Sequence, residues 1–306
     1  MIAGLQAYNG EFLAGLSATE AKLSTINKQL SSGYRVNQAS DDPSAVGPIL
    51  AYQGQLDHLN QVSTNLNTAQ TEAQTADGAL QTASTLLDQL VTLGAQGANS
   101  TSDASSRAVL GQKVQEIEQE LVAVANTTVS GRYILGGDDP STSPYTFNWS
   151  GTNGVTQNST PTNTAITRDS DGNAIVPRLT AQQIFDARDS TGTPTSGNIF
   201  AAAHALGTAL LANSQTGIQN AIDQVKAGVT QLGQSTTSYG NFEAWLTQAS
   251  QTVTTHVSNI NSSLSAIRDS DVAGDLTQLT LEQTALQAAL AAHGTLNTKS
   301  LFSFLG

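Results

Sequence analysis

The chain has 306 residues, of which 12% are charged and 5% aromatic, with a formal net charge of −12. That sign argues against nucleic-acid binding and against an electrostatic membrane anchor, because both need clustered Lys and Arg. The absence of cysteine excludes disulfides, thiolate metal sites and Cys nucleophiles, and no apolar run of about 18 residues is present to predict a transmembrane helix.

The opening "MIAGLQAYNGEFLAGL" has no basic n-region, so a cleaved secretory signal is not expected. Apolar residues then recur close to every 3.5 positions over Ile2, Leu5, Phe12, Leu16, Leu23, Ile26 and Leu30, with polar interruptions at Asn9 and Thr19. This first helix meets "LSSGYRVNQASDDPSAVGP", Leu30 to Pro48. Gly33 and Pro43 are predicted to end it there and make a corner, with Arg35 able to pair with Asp41 or Asp42.

A second, cleaner seam follows through Leu59, Val62, Leu66, Ala69, Ala73, Ala76, Leu80, Ala83, Leu87 and Leu90. Its many alanines would let a neighbouring helix approach closely. A third helix takes Leu110, Val114, Ile117, Leu121 and Val124.

From Gly136 to about Gly197 the pattern changes. Five prolines (Pro140, Pro144, Pro161, Pro177 and Pro194) exclude long helices. Tyr145, Phe147 and Trp149 alternate with polar residues before the turn "GTNG", and Asp171-Gly172 marks a short hairpin. Helix is predicted to resume near Ile199.

The fourth seam holds one heptad register from Ile218 through Ile222, Val225, Val229, Leu232, Tyr239, Leu246, Val253, Val257, Ile260 and Leu264 to Ile267, broken by Thr236, Glu243 and Ser250. A last helix carries Val272, Leu276, Leu279, Leu286 and Leu290 and ends in "SLFSFLG", where Leu301, Phe302, Phe304 and Leu305 make an apolar terminus that needs cover. The fold predicted is mainly α: an elongated, coiled-coil-like helical bundle with paired terminal helices and a small β-rich insert.

No catalytic constellation emerges. His58, His204, His256 and His293 are scattered and read as solvated helix residues. "DSDGN" at 169–173 lacks the Gly and Glu of a calcium loop, since Ala174 and Thr180 stand there, and reads as a turn. "LGGDDP" lacks the Lys-Ser/Thr of a phosphate loop. Neither an enzyme nor a bound cofactor or metal is expected.

"QLSSGYRVNQASDDPSAVG" resembles the stretch that follows the first helix in bacterial flagellins and their relatives, matching at Leu30, Ser31, Ser32, Gly33, Arg35, Val36, Asn37, Asp41, Asp42 and Pro43. The segment "SAIRDSDVAGDLTQLTLEQTALQAALAAHGTLNTKSLFSFLG" resembles the C-terminal helix of that family. Pro43 after the Asp pair, "SGRYILGG" and the ending "SLFSFL" resemble the family's hook–filament junction branch, with filament subunits as the alternative and a secreted translocator or adhesin as a remoter one.

The resemblance implies a structural subunit of the extracellular flagellum, exported through the flagellar type III apparatus. It implies a terminal domain of 1–32 with 271–306, a rod-like core of 33–136 with 205–270, and a variable insert of 137–204. Its implied partners are sister subunits, flagellin, another hook-associated protein and a cytoplasmic export chaperone on the C-terminal helix. The expected interface residues are Leu16, Leu23, Leu30, Arg35, Asp41, Asp42, Pro43, Leu286, Leu290, Leu301, Phe302, Phe304 and Leu305.

Overall fold

The computed structural model describes the backbone of residues 2–161, 167–175 and 179–305, and side chains over 8–161, 167–174 and 179–294. The chain divides into two compact units, residues 59–254 and residues 1–58 with 255–306.

The 59–254 unit is built on parts of two long helices, α2 (Pro43–Ala98) and α6 (Gln215–Arg268), with α3 (Ala104–Ala125) and α5 (Ile199–Leu211). All ten residues of the predicted α2 seam, from Leu59 to Leu90, are buried. The α6 seam is buried differently from the prediction. Ile218, Val225, Leu232, Tyr239, Leu246 and Val253 are buried as expected. The second buried column is Ala221, Gly228, Ser235, Phe242 and Ala249, one position before the predicted one. Ile222, Val229, Thr236, Glu243 and Ser250 form a half-buried flank. The three polar interruptions all fall on that flank, and Thr236 returns its hydroxyl to the Leu232 carbonyl at 3.0 Å.

Among the described residues of 126–198 the strands form short antiparallel pairs rather than one sheet. β1 (Thr128–Val129) pairs with β2 (Arg132–Tyr133), β3 (Tyr145–Phe147) with β4 (Val155–Gln157), and β5 (Thr167–Arg168) with β6 (Ala174–Ile175). Tyr145 lies opposite Gln157, and Phe147 opposite Val155. The β5–β6 hairpin turns at Asp169–Gly172 as the sequence predicted, with the Asp169 carboxylate accepting the Asp171 and Asn173 amides.

A short helix, α4 (Ala181–Phe185), opens on a capping box at Thr180 and Gln183. Leu135, Tyr145, Ile184 and Phe185 belong to the same hydrophobic core as α2, α3, α5 and α6. This β-containing region therefore shares the helical core instead of owning one. The buried Asp186 ties it to α5, accepting from Tyr145 Oη at 3.1 Å, Arg188 Nε at 2.9 Å and Asn198 Nδ2 at 2.7 Å.

In the second unit α1 (Ile2–Ser32) pairs with α7 (Val272–Leu305), as the two apolar seams predicted. Ile26 is buried, while Phe12, Leu16, Leu23, Leu30, Leu279 and Leu286 are half-buried. A pair of helices can shield only a strip of each partner, so this partial burial is the geometric limit of a two-helix contact.

Candidate assembly surface

The corner between α1 and α2 is held by hydrogen bonds that cross to the end of α6. Gly33 takes the left-handed conformation (φ 74°) that closes α1, and its amide donates to the Gln29 carbonyl at 2.8 Å. The chain then runs briefly alongside residues 267–270. The Arg35 amide donates to the Arg268 carbonyl at 2.7 Å, and the Ser270 amide donates to the Gly33 carbonyl at 3.0 Å. The Arg268 guanidinium stacks on the Tyr34 ring at 4.0 Å.

The sequence offered Arg35 two partners, and the structure selects one. Arg35 Nη1 donates to Asp42 Oδ2 at 3.0 Å, and Nη2 donates to the Ile267 carbonyl at 2.8 Å. Asp41 instead accepts the backbone amides of Asn37 and Gln38, both at 3.0 Å, and so rigidifies the turn itself. Asp42 also caps α2, accepting from the Ser44 hydroxyl at 2.6 Å and from the Ser44 and Ala45 amides.

Pro43 does not end α1. It is the first residue of α2, where a proline's missing N–H costs nothing and its fixed φ suits the helix.

These contacts favour ionised carboxylates. The Asn37 amide above all holds Asp41 below the usual carboxylate range. The Ser44 hydroxyl and then Arg35 do the same for Asp42, and the Ser265 hydroxyl and then Arg268 for Asp269. Tyr34, Ile267, Arg268 and Asp269 were not singled out as corner residues, because only the fold brings 267–270 beside 33–36. The one signal available was the charged run "RDSD" at 268–271.

Along α1 and α7 the expected residues divide. Leu16, Leu23, Leu30 and Leu286 sit half-buried, while Leu290 is half exposed. The backbone of α7 continues to Leu305, and the side chains of Leu301, Phe302, Phe304 and Leu305 lie outside the described residues. Lys22 bridges to Glu282 at 3.2 Å.

His293 is not the solvated residue expected. It stacks on Phe12 with ring centroids 4.0 Å apart and places Nε2 3.2 Å from Asn9 Oδ1, because the flat imidazole fills the gap between the paired helices. Elsewhere in this unit Tyr8, Leu13, Leu50, Val272, Leu276 and Leu281 are exposed. These six large apolar side chains are area that a partner chain could bury.

No cluster of three or more His, Asp or Glu residues suited to a metal ion occurs among the described residues. No described helix is long and apolar enough to cross a membrane.

The bacterial flagellin N-terminal helical region matches residues 6–139, and the bacterial flagellin C-terminal helical region matches residues 213–305. Flagellin of Clostridium tyrobutyricum is 32% identical over 116 residues, covering 38% of this chain and 31% of that protein. B-type flagellin of Pseudomonas aeruginosa is 34% identical over 129 residues, covering 42% of this chain and 26% of that protein. The matched stretch thus spans less than a third of either relative's length.

Among solved structures, flagellar hook associated protein-3 from Legionella pneumophila matches with a TM-score of 0.62 at 13% identity, over 72% of this chain and 98% of that one. FlgL from Bacillus cereus matches with a TM-score of 0.53 at 19% identity, over 70% of this chain and 97% of that one. At these identities the likeness is one of fold.

Proposed function

The chain belongs to the bacterial flagellin family, and from that premise we propose that it is a structural subunit of the flagellum, built in at the hook–filament junction through its terminal helices. The observation that carries the reading is the α1–α7 pair, which buries one strip of apolar side chains and leaves Leu13, Leu276 and Leu281 bare. At about 25 cal/mol per Å², covering those bare side chains with sister subunits supplies the drive for assembly. A contact that does not close on itself extends into a helical array.

Within this reading Leu16, Leu23, Leu30, Leu286 and Leu290 form the packing strip, and Leu301, Phe302, Phe304 and Leu305 extend it. Arg35, Asp41, Asp42 and Pro43 fix the corner between α1 and α2. The terminal domain of 1–32 with 271–306 is the assembling part, the core of 33–136 with 205–270 is the rod, and the insert of 137–204 varies. Export through the flagellar type III apparatus, a chaperone on α7, and contacts to flagellin and a second hook-associated protein follow from the family.

Pro43, the "SGRYILGG" hairpin and the coverage of 98% of a hook associated protein-3 chain support the junction branch. The flagellin identity of the curated relatives supports filament subunit as the second reading. Electron microscopy of a strain lacking this chain separates the two. Bare hooks from which filament monomers have leaked into the medium support the junction role. Filaments missing above an intact junction zone support the filament role, and unaltered flagella contradict both.

A further inference from the structure

Glu118 of α3 is fully buried, and neither of its carboxylate oxygens has a hydrogen-bond partner among the described residues. Its neighbour from α5 is His204, whose Nδ1 lies 3.6 Å from Glu118 Oε2. That is too long for a hydrogen bond but short enough for ionic attraction, and Nδ1 likewise has no other partner. His204 is therefore a second histidine that is not solvated as the sequence suggested.

Over this pair lies the loop of residues 148–154 that joins β3 to β4. Gly154, at φ 71°, seals the carboxyl so closely that a Cβ there would overlap Glu118 Oε1. Trp149 sets its ring edge-on to His204 at 4.5 Å and lies against Gly207. The loop contributes no titratable side chain, and the α3 neighbours Glu116 and Glu120 are exposed. His204 is the titratable group that acts on Glu118 among the described residues.

We propose that Glu118 and His204 form a proton-operated latch that holds the 148–154 loop closed over α3 and α5. With one proton between carboxylate and imidazole, beyond the ring's own N–H, the pair is neutral overall and the loop can seal it. When that proton passes to solvent, a net negative charge remains on a buried carboxylate that accepts no hydrogen bond among the described residues, a state that burial strongly disfavours. Opening the loop lets water reach the carboxylate, and reprotonation closes it. Burial pushes the Glu118 carboxyl above the ordinary carboxylate range, and His204 opposes that shift.

Trp149 reports the event directly. The chain has two tryptophans, so Trp245→Phe leaves Trp149 alone in the full-length protein. Its emission is followed across about pH 4 to 9, with far-UV circular dichroism recorded in parallel to follow the helices. The latch predicts a reversible red shift on raising pH, at constant helicity, as the indole leaves Gly207 for water. Glu118→Gln, neutral at every pH, loses that shift. His204→Gln moves it to higher pH, because the carboxyl then keeps its proton longer. A flat emission profile in the Trp245→Phe protein overturns the proposal without any further variant, and so does an unchanged transition in folded Glu118→Gln.

Discussion

Arg35 and Asp42 meet at 3.0 Å, and the same guanidinium reaches the Ile267 carbonyl at 2.8 Å. One side chain thus ties the start of α2 to the end of α6. The ion pair is half exposed and contributes little to monomer stability, as does the single bond to the carbonyl. Arg35→Ala is therefore expected to lower the melting temperature by only a few degrees while clearly reducing incorporation into flagella. Calorimetry and quantitative blotting of sheared flagella test the contrast, and equal losses in both would reduce the corner to a stability element.

Gly33 isolates backbone strain from packing. At φ 74° a side chain is strained, yet a Cβ there would meet no atom within 4 Å. Gly33→Ala should cost about 1–2 kcal/mol in urea titrations. Gly33→Asn should cost visibly less, because Asn tolerates the left-handed region. Similar costs for both would mean that the space, not the torsion, is limiting.

Glu243 occupies the half-buried flank of α6, and its Oε1 has no hydrogen-bond partner among the described residues. Burial, then the like charge of Asp77, pushes its carboxyl up. Glu243→Leu should stabilise the protein by about 1 kcal/mol, because it replaces an unsatisfied polar head with apolar contact. A lower melting temperature for this variant would indicate that the carboxylate is better satisfied than its geometry implies.

The two sets of carboxylates predict opposite pH slopes. Asp41, Asp42 and Asp269 are held below the ordinary Asp value of 3.8, so their contribution is complete above it and is lost as pH falls through the lower folded values. Glu118 and Glu243 lie above the ordinary Glu value of 4.5, so the folded chain keeps their protons longer and stability declines as pH rises from there. Melting temperature against pH should therefore peak in the mildly acidic range. Glu118→Gln should flatten the descending arm, and Asp42→Asn should soften the acid arm while lowering the whole curve through the lost cap.

Long, repetitive segments were the most legible part of the sequence. The α2 seam is buried at every predicted position because a heptad pattern states its own inward face. In α6 the same logic slipped by one position. Ile222 and Val229 outweighed Ala221, Gly228 and Ser235 by hydrophobicity, although the small column is what lets other elements approach: a Cβ on Gly228 would already press on Ile199. The corner was recognisable at Gly33, Arg35 and Asp42, but its partners at 267–270 arrive from the far end of the chain. Glu118 and His204 carried no mark at all, since a lone Glu and a lone His acquire meaning only when a loop closes over them.

The central claim is that this chain enters the flagellum through its terminal helices, and immunogold electron microscopy tests it most directly. Antibody against the 137–204 region is applied to flagella of a deletion strain that expresses either the full chain or one lacking 296–306. The account predicts gold at the distal end of the hook with the full chain and bare flagella with the truncated one, both proteins retaining their core helicity. Equal labelling by the two chains, or no label on flagella from either, would contradict it.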